Sequence, residues 1–84
     1  MVELNRAVAV GMAFGPERGL QVVDALTAEP ALRDYHLLPS VRGDLLARLG
    51  RSAEAGQEFS RAAALARNAA ERTVLLQRAA ACAS

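Results

Sequence analysis

Residues 35–68 read YHLLPSVRGDLLARLGRSAEAGQEFSRAAALARN, and this stretch decides the fold of the chain. Apolar residues recur every three or four positions on both sides of Gly50, which predicts two amphipathic helices. These positions are Leu38, Val41, Leu45, Leu46 and Leu49, then Ala55, Phe59, Ala62, Ala63 and Ala66. Gly50 suits the left-handed residue that ends a helix, and Ser52 suits the cap that begins the next. We therefore expect a helical hairpin whose two apolar stripes face each other.

The spacing of small and large residues in this hairpin resembles the tetratricopeptide repeat, a unit of about 34 residues. The matching positions are Gly43, Gly50, Ala55, Phe59 and Ala62. The resemblance implies that Gly43, which weakens a helix by about 1 kcal/mol relative to Ala, packs against small residues of the second helix. Pro39 and Arg42 depart from the pattern, because they stand where that family usually has Trp and Leu.

A second match to the same repeat lies upstream. Residues 2–13 predict a helix with an apolar stripe at Leu4, Ala7, Val8, Gly11 and Met12. Gly15 can stop that helix, and Pro16 suits the first position of the next one. A helix over 17–26 would then bury Gly19, Leu20, Val23 and Leu26. Since Gly15 and Gly50 are 35 residues apart, we interpret 2–28 as repeat one and 36–67 as repeat two.

The remaining residues link and close the two repeats. Pro30 ends any helix before it, and Leu32 is expected to anchor the connecting loop. Asn68 can cap a fifth helix over 69–83, with Glu71 completing a capping box. We expect that helix to shield the open end of the stack. The predicted fold is all-α: a single domain over 1–84 of five antiparallel helices, with two tetratricopeptide-like hairpins and a capping helix.

Composition and motifs exclude several classes of function. Ten arginines and nine acidic residues leave a net charge of +1, with no basic stripe for nucleic acid or a membrane surface. Cys82 is the one cysteine, so we expect no disulfide framework and a reducing, cytoplasmic compartment. We see no signal peptide and no apolar run of membrane-spanning length.

No pattern in the sequence points to catalysis or to a cofactor. His36 has no second His or Cys at ligand spacing, so we expect no metal site. Glu54 and Glu58 share a helix face near Arg61, and we interpret them as solvated charges.

Four segments together resemble the C-terminal helical extension of a group of bacterial extracytoplasmic-function RNA polymerase sigma factors. They are VELNRAVAV at 2–10, GPERGL at 15–20, YHLLPSVRGDLLARLGR at 35–51 and NAAER at 68–72. The resemblance covers nearly all 84 residues and implies tetratricopeptide-like repeats behind two DNA-binding sigma domains, which would lie upstream of Met1. It places no promoter-reading residues in this chain. The family usually has an acidic residue before Gly-Pro, where this chain has Phe14.

Repeat proteins often bind partners on the surface formed by the first helix of each unit. Matching positions in the two units predict a protein-binding groove lined by Asn5, Ala9, Met12, Asp44 and Arg48. The alternative is a solvated charged face on the third helix, supported by the Asp44–Arg48 pair at a spacing of four. That face would comprise Arg42, Asp44, Arg48 and Arg51.

Two further features are candidates for contacts. The turn Phe14-Gly15-Pro16 is a predicted second contact with the partner; we favour Phe14 as a plug at the hairpin tip over an exposed patch for the sigma domains. For Tyr35 and His36 we favour structural roles, with Tyr35 in the groove between repeats and His36 hydrogen-bonded to a helix end. The alternative for this pair is a contact or a pH-sensitive hinge.

Three hypotheses of function remain at this point. The first is a regulatory domain of the sigma factor, acting in transcription initiation by contacting its own sigma domains, RNA polymerase or a regulator. The second is a free-standing repeat adaptor that binds a peptide, and the third is a small-ligand sensor. A helix-turn-helix region upstream would separate the first from the others. Because two repeats are fewer than the roughly three that a solenoid needs, we also expect homodimerisation through Leu75, Leu76 or the first helix.

Overall fold

The computed structural model describes residues 2–29 and 35–83, and within these ranges the chain forms five α-helices. They are α1 (Val2–Phe14), α2 (Pro16–Leu26), α3 (Leu37–Arg48), α4 (Ser52–Leu65) and α5 (Ala69–Ala83). The all-α prediction is confirmed. The predicted anchoring role of Leu32 falls outside the described residues. No helix in the described ranges is long and apolar enough to span a lipid bilayer.

Two glycines make the turns inside the hairpins. Gly15 has φ 100° and Gly50 has φ 79°, a backbone region that glycine enters without steric cost. At Gly50 the N–H donates to Ala47 O at 3.0 Å, and the Arg51 N–H donates to Leu46 O at 2.9 Å. This pair of bonds is a Schellman motif, which satisfies carbonyls at the end of α3. The predictions for Gly15, Pro16 and Gly50 at these turns are confirmed.

The start of α4 differs from the prediction. Ser52 is the first helical residue, and the cap position belongs to Arg51, with no side-chain hydrogen bond to the helix end. The Arg51 carbonyl accepts the first helical bond from the Ala55 N–H at 3.0 Å. The Schellman motif already uses Gly50 and Arg51 to leave α3, so α4 begins one residue earlier than a Ser52 cap requires. The prediction of Ser52 as the cap is wrong.

Close approaches between helices occur at glycines. A Cβ atom on Gly19 would lie 2.9 Å from the Cα atom of Gly11, so α1 and α2 are nearly in backbone contact there. A Cβ atom on Gly43 would lie 2.9 Å from Cε1 of Phe59. Gly43 therefore packs against the large ring of α4, rather than against small residues as the repeat resemblance implies. In each hairpin, the two contacting residues lie on opposite sides of the turn, at similar distances from it along the sequence. This spacing is what two antiparallel helices require.

One hydrophobic core includes residues from all five helices. Its buried members are Ala7, Leu20, Val23, Leu26, Leu38, Leu45, Leu46, Ala55, Phe59, Ala62, Ala63 and Leu75. The hairpins α1–α2 and α3–α4 join through contacts between α2 and α3, and α5 packs on α4. The buried set of α2, Gly19, Leu20, Val23 and Leu26, is the set predicted from its spacing.

The outer helices bury less of their predicted stripes. In α1, Ala7 and Gly11 are buried, but Val8 is exposed and Met12 is 75% exposed. In α5, Leu75 belongs to the core while Leu76 remains half exposed. The Leu75 side chain packs within its own chain, so of these two residues Leu76 is the one that presents apolar surface.

Asn68 caps α5. Its Oδ1 accepts a hydrogen bond from the Glu71 N–H at 2.8 Å, as predicted. The Glu71 carboxylate accepts from the Asn68 side-chain amide at 3.1 Å, whereas a capping box would bring it to the backbone N–H. The cap is therefore confirmed in its first half and altered in its second.

Candidate protein-binding groove

A cavity of about 260 Å³ opens between α1, α3 and α5. Three of the five predicted groove residues line it, namely Met12 from α1 and Asp44 and Arg48 from α3. Ala9 of α1 is exposed but does not belong to the lining, and the side chain of Asn5 falls outside the described part of the structure. The full lining of the cavity is Val8, Gly11, Met12, Ser40, Val41, Asp44, Leu45, Arg48 and Arg78. We call this set the α1/α3/α5 groove.

Asp44 lies between two guanidinium groups in this groove. Its Oδ2 atom is 3.2 Å from Arg48 Nε, and its Oδ1 atom is 3.0 Å from Arg78 Nη2. The guanidinium carbon of Arg78 also lies 4.4 Å from the centre of the Phe59 ring, a cation–π distance. Arg78 thus connects the groove to the hydrophobic core, whereas Arg48 is held by Asp44 alone among the contacts described.

Arg78 was missed by the sequence reasoning. The signal for it is its spacing: it lies three residues after Leu75, so it shares the inward face of α5. The predicted role of α5 as a shield for the end of the stack assigns no contacts to its polar residues. The structure adds α5 to the groove as a third wall.

A second cavity, of about 380 Å³, continues the groove along α3 and α5. It shares Ser40 and Arg78 with the first cavity. Leu37 and Val74 add partly exposed apolar surface here, as Val8 and Met12 do in the first cavity. The second cavity is lined by His36, Leu37, Ser40, Ala70, Glu71, Val74, Leu75 and Arg78.

Tyr35 and His36 lie at the start of α3 and contact α5 and the core. His36 is buried, and its Nε2 atom is 2.9 Å from Glu71 Oε1 in the first turn of α5. Tyr35 is half-buried against the core, and its ring meets the His36 ring edge-on at 5.7 Å. These contacts tie the α3 start to α5 and leave little of His36 exposed to a partner.

The turn at Phe14-Gly15-Pro16 lines neither of these two cavities. Phe14 is the last residue of α1, and its side chain is 73% exposed. Because Gly15 turns the chain directly into α2, the ring stays at the tip of the hairpin in solvent. The interpretation of Phe14 as a hydrophobic plug is wrong, and its alternative, an exposed patch, describes the structure.

Arg42 does not belong to a solvated face. Its Nε donates to Asp24 Oδ1 at 2.8 Å, and its Nη1 atom lies 3.3 Å from Glu58 Oε1. The hydrogen bond with Asp24 raises the pKa of Arg42 above its usual value, while burial acts in the opposite direction. The Glu58 side chain is only 13% exposed, and its Oε2 atom has no hydrogen-bond partner in the described residues. The interpretation of Glu58 as a solvated charge is wrong.

The described residues contain no group of three or more His, Cys, Asp or Glu side chains that could hold a metal ion. The charged groups of the groove are guanidinium and carboxylate groups that pair with each other, and Ser40 adds a hydroxyl group. This arrangement can recognise a charged or hydrogen-bonding group next to an apolar one.

Comparison with known proteins finds one informative similarity. A segment of 71 residues is 48% identical to part of an uncharacterized protein of Rhizobium meliloti (strain 1021). The segment makes up 84% of this chain and 16% of that protein, so the chain spans about a sixth of the relative's length. No protein-family model matches the chain. No solved structure is significantly similar to it.

Proposed function

We propose that this chain is a non-catalytic protein-interaction domain that binds its partner in the α1/α3/α5 groove. The observation that carries the proposal is the convergence of Met12, Asp44, Arg48 and Arg78 around one cavity. Protein interfaces are enriched in Met and Arg, and their centres combine apolar surface with a few placed polar groups. The groove offers this combination on three helices that share one core.

The wider setting that we propose is the cytoplasmic C-terminal domain of a sigma factor of the extracytoplasmic-function type, acting in transcription initiation. The support is the order of four sequence segments that resemble that family. The Rhizobium meliloti relative gives further support, because a similar segment occurs there within a much longer protein. The partners would be the sigma domains of the same protein, RNA polymerase or a separate regulator.

Within this setting the groove and the Phe14 turn are two separate contacts. Arg48 and Met12 are both well exposed, so a partner can reach them without opening the core. Phe14 lies at the tip of the first hairpin, where an exposed aromatic ring offers a single apolar anchor.

A pull-down against separately expressed sigma domains and core RNA polymerase from the same cell tests the proposal. The variants are Arg48→Glu in the groove and Phe14→Asp at the turn. Arg61→Glu is the matched control, because Arg61 is exposed on α4 and lines neither cavity. Circular dichroism would verify that each variant keeps its helices.

We expect capture of the sigma domains or of polymerase by the wild-type chain, with about tenfold weaker binding for Arg48→Glu and unchanged binding for Arg61→Glu. Capture of neither by a folded chain would overturn the sigma-factor setting and favour an adaptor for another protein. Equal losses for Arg48→Glu and Arg61→Glu would overturn the groove as the binding surface.

A further inference from the structure

We infer that the groove binds an acidic amphipathic segment, one whose carboxylate lies between Arg48 and Arg78 and whose apolar side chains cover Met12 and Val8. This inference rests on the proposed function and adds the chemistry of the partner. It follows from the net charge of the groove, from the hydrogen bonds that the acidic residues already accept, and from the exposed apolar surface beside the arginines.

The charge count of the groove favours a negative ligand. Its lining contains two guanidinium groups and one carboxylate, which leaves a net charge of +1. Each oxygen of Asp44 already faces one guanidinium. A guanidinium group has five N–H donors, so Arg48 and Arg78 keep most of theirs for a second carboxylate. The side chains are 53% and 44% exposed, respectively, and a ligand can reach both.

The acid of the adjoining cavity is already engaged by groups of its own chain. Glu71 lines the adjoining cavity, but its Oε1 atom is paired with His36 Nε2 at 2.9 Å. Its Oε2 atom accepts from the Asn68 amide at 3.1 Å. A lysine or arginine of a partner would therefore meet two arginines, and the carboxylates of the two cavities, Asp44 and Glu71, already accept from groups of this chain. Like-charge contacts of this kind select against the wrong partner.

The apolar part of the groove completes the recognition surface. Met12 and Val8 are exposed on α1, and Val41 is half-buried at the floor beside them. Methionine has an unbranched, polarizable side chain that adapts to different apolar surfaces. A partner helix with apolar residues at one face and an acidic residue at its edge would contact both parts at once.

Selection from a library of random peptides of about twelve residues, enough for three helical turns, tests this chemistry without a known partner. The wild-type chain is immobilised, the bound peptides are sequenced, and one enriched peptide is titrated by fluorescence anisotropy. The titration includes Arg48→Glu, Met12→Ser and the control Arg61→Glu. All three positions are exposed, so these variants should fold.

We expect enrichment of peptides that combine Asp or Glu with apolar residues, weakened at least about tenfold by Arg48→Glu and unaffected by Arg61→Glu. Selected peptides without acidic residues that lose affinity with Met12→Ser would overturn the acidic specificity and leave the groove as a binding site. Peptides insensitive to both groove variants, or a failure to select any, would overturn the acidic specificity and the groove together.

Discussion

Gly43 lies where α3 and the Phe59 ring of α4 pack so closely that a side chain has no room. In an exposed helix, replacing Gly by Ala stabilises by about 1 kcal/mol. Here the new Cβ atom would lie 2.9 Å from the buried Phe59 ring, and overpacking of a core costs about 1–3 kcal/mol. We therefore expect Gly43→Ala to lower the free energy of unfolding by about 1–2 kcal/mol, measured by urea denaturation.

Comparing Gly43→Ala in two sequence backgrounds tests whether the Phe59 ring causes the loss of stability. Leucine at position 59 leaves more room beside Gly43, so Gly43→Ala should cost less in a Phe59→Leu chain than in the wild type. This comparison is a double-mutant cycle, and it isolates the coupling between the two positions. Equal costs in the two backgrounds would contradict a clash with Phe59.

Glu54 is the residue whose ionisation should affect stability in acid. The guanidinium of Arg51 donates hydrogen bonds to its carboxylate at 3.0 and 2.7 Å, and these bonds lower the pKa of Glu54 below its usual 4.5. A lowered folded-state pKa stabilises the protein above the unfolded-state pKa, and that stability is lost as the pH falls through the folded-state value.

Glu54→Gln should therefore reduce the thermal unfolding temperature slightly at neutral pH, and this reduction should disappear as the pH falls through the lowered pKa of Glu54. The difference at neutral pH should also shrink in about 1 M salt, because exposed ion pairs are screened. A difference that persists unchanged at low pH would show that the carboxylate charge is not its source.

The stability of α5 depends on contacts at its first turn. Asn68 satisfies the Glu71 N–H, and Glu71 in turn pairs with His36 at the start of α3. Removing a cap residue costs about 1 kcal/mol, and here the same change also removes the amide that donates to the Glu71 carboxylate. We expect Asn68→Ala to reduce the free energy of unfolding by about 1–2 kcal/mol.

Asn68→Ser is the matched control for this cap. Serine retains an oxygen that can accept from the Glu71 N–H but lacks the amide that donates to its carboxylate. Its measured stability should lie between those of the wild type and Asn68→Ala. An Asn68→Ser chain as unstable as Asn68→Ala would assign the effect to the amide–carboxylate bond instead of the cap.

The elements also show which features a sequence predicts. Gly15, Gly50 and Asn68 are local signals, since their roles depend on the backbone angles or hydrogen bonds of their own turn, and the structure has them where the sequence places them. The buried face of α2 follows in the same way from spacing alone. The prediction of Ser52 as the cap is wrong because two local signals compete for the same short turn, the end of α3 and the cap of α4. The Schellman motif that ends α3 is the one that forms.

The positions of other side chains depend on neighbours that a sequence does not specify. Met12 belongs to the apolar stripe of α1, yet few contacts join α1 to α3, and the residue stays exposed. Arg42 has the spacing of a surface residue, yet acids from two other helices surround it. Repeat geometry aligns the first helices, so the sequence predicts that Met12, Asp44 and Arg48 share a surface. The position of the Arg78 side chain depends on how α5 docks, which no local pattern specifies.

Arg42 makes a polar link between the two hairpins. It pairs with Asp24 of α2 and Glu58 of α4 from its own position in α3. Glu58 is mostly buried, so removing its cation would leave a desolvated carboxylate without compensation. Breaking one partner of such a pair is more damaging than breaking an exposed one, for which the cost is below about 1 kcal/mol.

Arg42→Leu should therefore lower the free energy of unfolding by about 1–3 kcal/mol, and Glu58→Gln in the same chain should recover part of the loss by removing the unpaired charge. Asp24→Asn is the comparison, since Asp24 is about half exposed and its loss should cost less. Urea denaturation at neutral pH measures all four chains. Because one core includes all five helices, each should unfold in a single transition. If Glu58→Gln gave no recovery, the stability would come from the packing of the Arg42 side chain across the hairpins and not from its charge.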